Sequence, residues 1–437
     1  MIFFIIILIA IIGGGMTAAK KGEFFEDYCS PRNTGTINGI FSILIILSHA
    51  VTYVKLDGIW DEPYFALRTF LGQLVVVTYL FYSGFGIMES YKKKGTPYIK
   101  AMPVHRLFKT WYHFAIVIVM YAIVSIGIRG LEYTPLQVAL SFTGYETLGN
   151  SNWYMFVTFA LYIIIVACFL IFRKSKVLAL AGVFALTGLF VYWETKMGLA
   201  SQWYNTVFCF PAGMLFSLVK PYVDKLFMKN DLIWFSGFTA LFVLFGFFSQ
   251  NRGESLLFHS LFAIFFALTV TVMMMKVQIK STILDWFAQH IFSFFILQRI
   301  PMLLLRHYGF AKDPYFYIIM SFFITVVMSM LFDAAMDKLD SIIFKPRKKK
   351  AIEEKYTNEI YDKEIEKLKT KPVTRALSLA AADILKYPEA AINALTGGRL
   401  YNGEYKGFGE FSNRVWDQTR EGFESEAGKT AADVTRA

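Results

Sequence analysis

The chain has 437 residues, of which 56% are hydrophobic and 45 are Phe; its mean hydropathy is +0.46 and its formal charge +11. The apolar residues fall in long runs rather than amphipathic stripes, which excludes an ordinary water-soluble domain, because only helices that bond their own backbone can carry such runs through lipid. The positive charge alternates between dense and sparse loops instead of gathering in one patch, which excludes a nucleic-acid-binding surface and makes the charge a matter of membrane topology.

About 20 mostly apolar residues are needed to cross the hydrocarbon core. By that criterion the sequence predicts spans at 2–19, 38–54, 68–88, 111–129, 153–172, 177–193, 204–219, 231–249, 256–275, 287–306 and 315–336. The first stretch, "MIFFIIILIAIIGGGMTAA", has no basic residue before it and Lys20 and Lys21 after it. It therefore reads as a retained helix running from outside to inside, with a cleaved secretory signal as the alternative. Cys29, Cys168 and Cys209 have no metal-ligand spacing, so neither a disulfide nor a metal site is implied.

The next run, "NGIFSILIILSHA", carries His49 near its end, with Ser48 before it and Tyr53 one turn later. An ionisable group inside a span is costly and usually faces a polar cavity. A hydrogen-bonded structural histidine and one that takes a proton from a hydroxyl are both open here. In "LFYSGFGIMESYKKKG" the apolar run meets Ser83, Gly84, Phe85 and Gly86, whose glycines permit close approach of a second backbone or of a ligand. The loop that follows, through "TPYIKAMPVHRLFKTWYHF", adds Lys100, His105, Arg106, Lys109 and His113 to Lys92, Lys93 and Lys94. Such a cluster fixes topology and would also suit a phosphate-bearing ligand.

Further on, Trp153 and Tyr154 open a span, as an interfacial aromatic belt or a sugar platform. Gln298 and Arg299 lie within "ILQRIPM", where an intramembrane Arg either binds a ligand or braces the bundle. Glu89, Trp286, His259 and His290 fall near predicted interfaces and are expected to be structural or solvated. After Lys345 the composition turns polar: residues 346–437 form a tail, with helical spacing in "AIEEKYTNEIYDKEIEKLK" and an Ala- and Leu-rich stretch ending at a Gly pair. Its later part shows no period and reads as disordered. The positive-inside rule puts this tail and the basic loops in the cytoplasm and the N-terminus outside, in a multi-pass plasma-membrane protein.

Taken in order, "INGIFSILIILSHAVTY", "FYSGFGI", "HRLFK", "NWYMFVTFALYII", "FCFPAGMLFSLV" and "LDWFAQHIFSFFILQRIPM" resemble the integral-membrane acyltransferase family 3, which includes O-acetyltransferases of surface glycans. The resemblance covers 36–345. It implies an all-α bundle of ten family helices, to which 1–35 adds an N-terminal helix and linker and 346–437 a cytoplasmic tail. It also implies acyl-CoA, with acetyl-CoA expected, as donor from the cytoplasm, and a glycan hydroxyl as acceptor from the far side.

Carried over by position, His49 would be the proton-transferring residue. The family's basic residue eleven positions earlier is Asn38 here, an amide that can orient a group or donate to an oxyanion but cannot neutralise charge; Arg68 could approach from the next helix. Ser83, Gly84 and Phe85 would border the thioester, and Arg106 with Lys109 or Lys100 would hold the CoA phosphates. Trp153, Tyr154, Gln298 and Arg299 would meet the acceptor. The partners expected are lipid, acyl-CoA, the acceptor and, through the tail, a cytoplasmic protein; no metal and no nucleic acid are expected. A transporter or lipid-linked export component, and a non-catalytic binding or regulatory member, are the alternative functions.

Overall fold

The computed structural model describes residues 1–344, so the helical segments expected in 346–437 lie outside the described residues. In chain order the elements are α1 (Ile2–Gly15), β1 (Met16–Ala18), α2 (Pro31–Ala50), α3 (Glu62–Leu71), α4 (Leu74–Lys94), α5 (Thr96–Met102), α6 (Lys109–Ala122), α7 (Pro135–Ser141) and α8 (Trp153–Ile171). There follow α9 (Lys176–Lys196), α10 (Cys209–Phe227), α11 (Asp231–Gln250), α12 (Leu256–Met273), β2 (Val277–Ile279), α13 (Thr282–Gln289), α14 (Ile291–Leu297), α15 (Arg299–His307) and α16 (Pro314–Ile343). A π-helical turn, Pro103–Phe108, joins α5 to α6, and a second, Ile123–Ile128, extends α6. Among the described residues 8 helical stretches are long and apolar enough to cross a membrane, or 9 if the bent pair of α13 with α14–α15 is one span. The protein is a polytopic membrane helix bundle.

Every predicted span falls on a helix, but three differ in detail. The stretch 2–19 is helical for only 14 residues. At 1.5 Å per residue that is about 21 Å, short of the hydrocarbon core. Gly13, Gly14 and Gly15 end the helix, and residues 16–18 pair antiparallel with β2, Thr17 opposite Gln278. The span expected at 204–219 begins at Cys209 and continues through Pro221, Asp224 and Lys225. The span expected at 287–306 is broken at His290, where the chain bends by 65°.

Local chemistry sets these boundaries. The Ser30 side chain accepts from the Asn33 N–H at 3.3 Å and Pro31 opens α2, which is the preferred N-terminal arrangement. Ser175, Asn230, Ser255, Ser281 and Asp313 cap α9, α11, α12, α13 and α16 in the same way. The bundle is drawn together where glycines remove side chains. A Cβ on Gly84 of α4 would overlap the Phe210 carbonyl of α10, and one on Gly213 of α10 would overlap the Phe81 carbonyl of α4. On α2, Gly39 makes the same close approach to Leu284 of α13. Small residues at such crossings let packing contacts accumulate where lipid offers no hydrophobic drive.

The two ends of the bundle differ in charge. One end gathers the start of α2 and the end of α4, where Lys92 bonds Glu89 Oε1 at 2.5 Å and the Ser217 carbonyl at 2.8 Å. Lys276 meets Asp231 there at 2.5 Å and the carbonyls of Lys20 and Glu23. The opposite end carries the end of α2, with His49, and the helix α3.

Candidate active site

Because Ser30 fixes where α2 begins, it also fixes which residues of α2 share a face. Asn38 and His49 are eleven residues apart, which on an α-helix is three turns with about 20° of drift and about 16 Å of rise. Asn38, Ser42 and Ile45 line an internal cavity of about 350 Å³. His49 continues that face beyond it. Opposing walls come from Tyr79 and Ser83 of α4, Thr110 of α6, Tyr154 and Tyr162 of α8, Phe295 of α14 and Gln298. The volume is at the lower end for small-molecule sites, and the mixture of aromatic walls with a few polar groups is the usual one.

Inside the cavity, the Tyr79 hydroxyl donates to the Asn38 carbonyl at 2.7 Å. The Asn38 side-chain oxygen is buried and has no hydrogen-bond partner. A buried amide oxygen left in this state is costly unless a ligand or water completes it. Tyr154 packs edge-on against Tyr79 and Phe295, with centroids 6.5 and 5.2 Å away. Trp153 packs edge-on against Tyr154 at 5.7 Å and is not part of the wall.

At the His49 end, Gln298 is the neighbour that joins cavity and histidine: it lines the cavity and lies against His49. Both His49 Nδ1 and Gln298 Oε1 are buried without a hydrogen-bond partner. Arg68 donates from Nε to the Ser48 hydroxyl at 2.9 Å, so it stands beside His49 rather than beside Asn38. Arg299 donates from Nε to Ser151 Oγ at 2.9 Å and from Nη1 to the Tyr53 hydroxyl at 3.1 Å. Both guanidinium groups act electrostatically on the imidazole.

At the other end of the cavity, Arg106 lies against Tyr162 of the wall and over the Tyr98 ring, 5.8 Å from its centroid. Lys109 is ion-paired with Asp340 of α16, which also takes Tyr112 and His113 as partners. Lys100 is exposed. Of Ser83, Gly84 and Phe85, only Ser83 lines the cavity; Gly84 closes the α4–α10 crossing, and the Phe85 ring packs on Phe216 at 6.0 Å.

One group near the cavity, expected from sequence to be structural or solvated, is held by a carboxylate. His290, at the bend before α14, bonds through Nδ1 to Asp333 of α16 at 2.5 Å, and Ser293 Oγ donates to the same carboxylate oxygen at 2.7 Å. Its ring rests on Trp286 at 4.5 Å, and the next two residues, Ile291 and Phe292, line the cavity. Forty-three positions separate His290 from Asp333, so only their shared place in apolar runs could have linked them in sequence. Glu89 bonds Lys92 and Ser217, and His259 packs edge-on against Phe262 at 5.8 Å, both as structural groups.

The arrangement is therefore a cavity within the bundle, with Arg106 against its wall residue Tyr162 and a histidine flanked by two arginines against its wall residue Gln298. In comparison with known families, the model of an acyltransferase domain matches residues 37–334. Among curated proteins and among solved structures nothing matches.

Proposed function

The chain belongs to this acyltransferase family, and on that premise we propose that it moves an acyl group, acetyl in the first instance, from cytoplasmic acyl-CoA to a hydroxyl of an envelope glycan on the far side of the plasma membrane. The observation that supports this reading most is the run of the cavity. Tyr162 in its wall touches Arg106, and Gln298 in its wall touches His49. The basic loops lie at the Arg106 end, which the positive-inside rule assigns to the cytoplasm.

In this reading Arg106, with exposed Lys100, holds the CoA phosphates, since guanidinium groups pair with phosphate oxygens in bidentate fashion. Lys109 already has Asp340 and adds charge only from a distance. The pantetheine arm follows the cavity past Ser83 and Asn38 toward Gln298. His49 takes the proton of the acceptor hydroxyl, whose oxygen attacks the thioester carbonyl. The C–S bond breaks, and the proton on His49 passes to the departing thiolate, leaving an ester and free thiol. A neutral imidazole with an uncommitted nitrogen suits that cycle. Charge developing on the carbonyl oxygen needs donors in a dry site; Asn38 offers its amide N–H group, and Gln298, one of whose Nε2 hydrogens goes to the Phe295 carbonyl, offers the other.

The test is acetyl-CoA binding and turnover by the full chain in nanodiscs, parent against His49→Ala. We expect binding to be retained and acyl transfer to fall by about 10²–10⁴-fold, the usual range for losing a general base. Absence of acetyl-CoA binding would overturn the donor assignment; undiminished transfer by His49→Ala would overturn the role of the histidine.

A further inference from the structure

The His49 end holds positive charge that the bundle does not neutralise. Arg32, Lys92, Lys109, Lys220 and Lys276 each meet a carboxylate: Asp285, Glu89, Asp340, Asp224 and Asp231 in turn. Arg68 and Arg299 meet none among the described residues; their partners are the hydroxyls of Ser48, Ser151 and Tyr53. Arg306 adds a third cation, its guanidinium carbon 5.5 Å from the centroid of the Tyr53 ring. Arg68 and Arg299 are half-buried and Arg306 is exposed; the first two lose part of their hydration, and charges in that position are ordinarily paired.

The hydroxyl contacts also leave capacity unused. A guanidinium offers five N–H donors. The contacts above engage one on Arg68 and two on Arg299. The same neighbourhood holds uncharged groups that lack partners. Asn150, next to Ser151, has a buried side-chain nitrogen without an acceptor, and Gln298 a buried oxygen without a donor. Two cations held by the hydroxyls of Ser48, Tyr53 and Ser151, with an unpartnered amide nitrogen on Asn150 and an unpartnered amide oxygen on Gln298 beside them, form a receptor for an oxyanion that also bears hydroxyls.

We infer that the acceptor is an anionic sugar, whose carboxylate or phosphate is held by Arg68 and Arg299 so that a neighbouring hydroxyl lies at His49. This rests on the acyl-transfer reading above. It adds a substrate class: a neutral glycan would leave both guanidinium groups without a counter-charge.

The test uses the full chain in phosphatidylcholine nanodiscs with three probes: methyl glucuronide, methyl glucoside 6-phosphate and neutral methyl glucoside. At least one charged probe should bind about tenfold or more tightly than the neutral one, the preference expected from one charge-assisted hydrogen-bonded pair. Which charged probe is preferred identifies the oxyanion. Arg68→Gln and Arg299→Gln should each erase the preference, whereas Arg299→Lys should keep part of it. The lysine variant, and an unchanged Tm in either glutamine variant, separate loss of binding from loss of fold.

Equal binding of charged and neutral probes overturns the inference, as does a preference that survives both glutamine substitutions. Suppression of the preference when phosphatidylglycerol replaces phosphatidylcholine also overturns it, since the occupant would then be a lipid headgroup. In parallel, acetyl-CoA consumption is followed with and without the preferred probe. Consumption without charge preference removes only the acceptor class; charge preference without acetyl-CoA binding removes the acyl-transfer reading and with it the word acceptor.

Discussion

Asn38 and His49 share one face of α2, yet they stand in different company. Asn38 looks into an uncharged cavity with a buried oxygen that nothing in the protein satisfies, whereas His49 lies between two guanidinium groups. Replacing Asn38 by Leu removes the unsatisfied acceptor, so folding stability should stay within about 1 kcal/mol of the parent or rise. If the amide assists transfer, activity should nevertheless fall, by roughly 10–10³-fold. Thermal melting and acyl-transfer assays on the same preparation separate the two effects, and a variant that transfers at the parent rate removes Asn38 from the chemistry. His49, Gln298 and Arg299 were legible as site candidates because a polar or charged residue in an apolar run is conspicuous. That Arg68 reaches Ser48 was only a possibility from sequence, because the contact crosses a loop whose path no local pattern gives. The place of Gln298 between cavity and imidazole depended likewise on the bend before α14.

The crossing of α4 and α10 depends on glycines from both helices, each facing the other's carbonyl. Gly84→Ala or Gly213→Ala should therefore force the helices apart and cost about 1–3 kcal/mol. This is measured as a lower Tm in detergent, with Gly86→Ala, whose Cβ would meet nothing within 4 Å, as the neutral comparison. The sequence showed this packing use of the small residues beside a ligand-facing one and could not divide them; the structure gives Gly84 to packing and Ser83 to the cavity. The bend between α13 and α14 was not legible at all. Apolar residues continue straight through 287–306, and hydropathy reports composition, not direction. What turns the chain is tertiary: α13 lies against α2 through Gly35 and Gly39, and Asp333 holds both His290 and Ser293. Removing one of those bonds with Ser293→Ala should cost about 0.5–3 kcal/mol, the upper part of that range applying because the acceptor is a carboxylate. The same melting assay checks it, and an unchanged Tm would mean that the bend is held without Asp333.

Across the whole molecule, burial is uneven. Only 6% of the apolar window of α11 is buried within the bundle, against 72% for the span of α2. A membrane protein places such a face in lipid. Phe242→Trp, at an exposed position of α11, should therefore give fluorescence quenched by brominated lipid with little change in stability; a Trp quenched by an aqueous agent instead would place that face in water. The positions of the helices were readable from the sequence because bilayer thickness imposes one length on every crossing. The cavity was not, because it exists only where the walls of six helices meet. Its course from Arg106 to His49 has a further consequence under the proposed chemistry. The acyl group leaves the thioester toward one side of the membrane while the hydroxyl proton departs with the thiol toward the other. An acylium equivalent and a proton, of equal charge, thus exchange places, and no net charge crosses the bilayer. Turnover in sealed proteoliposomes should be indifferent to an imposed voltage, although a single uncompensated charge would feel about 2.3 kcal/mol per 100 mV. Thioester energy alone would drive acylation on the far face, with neither nucleotide nor ion gradient at that step.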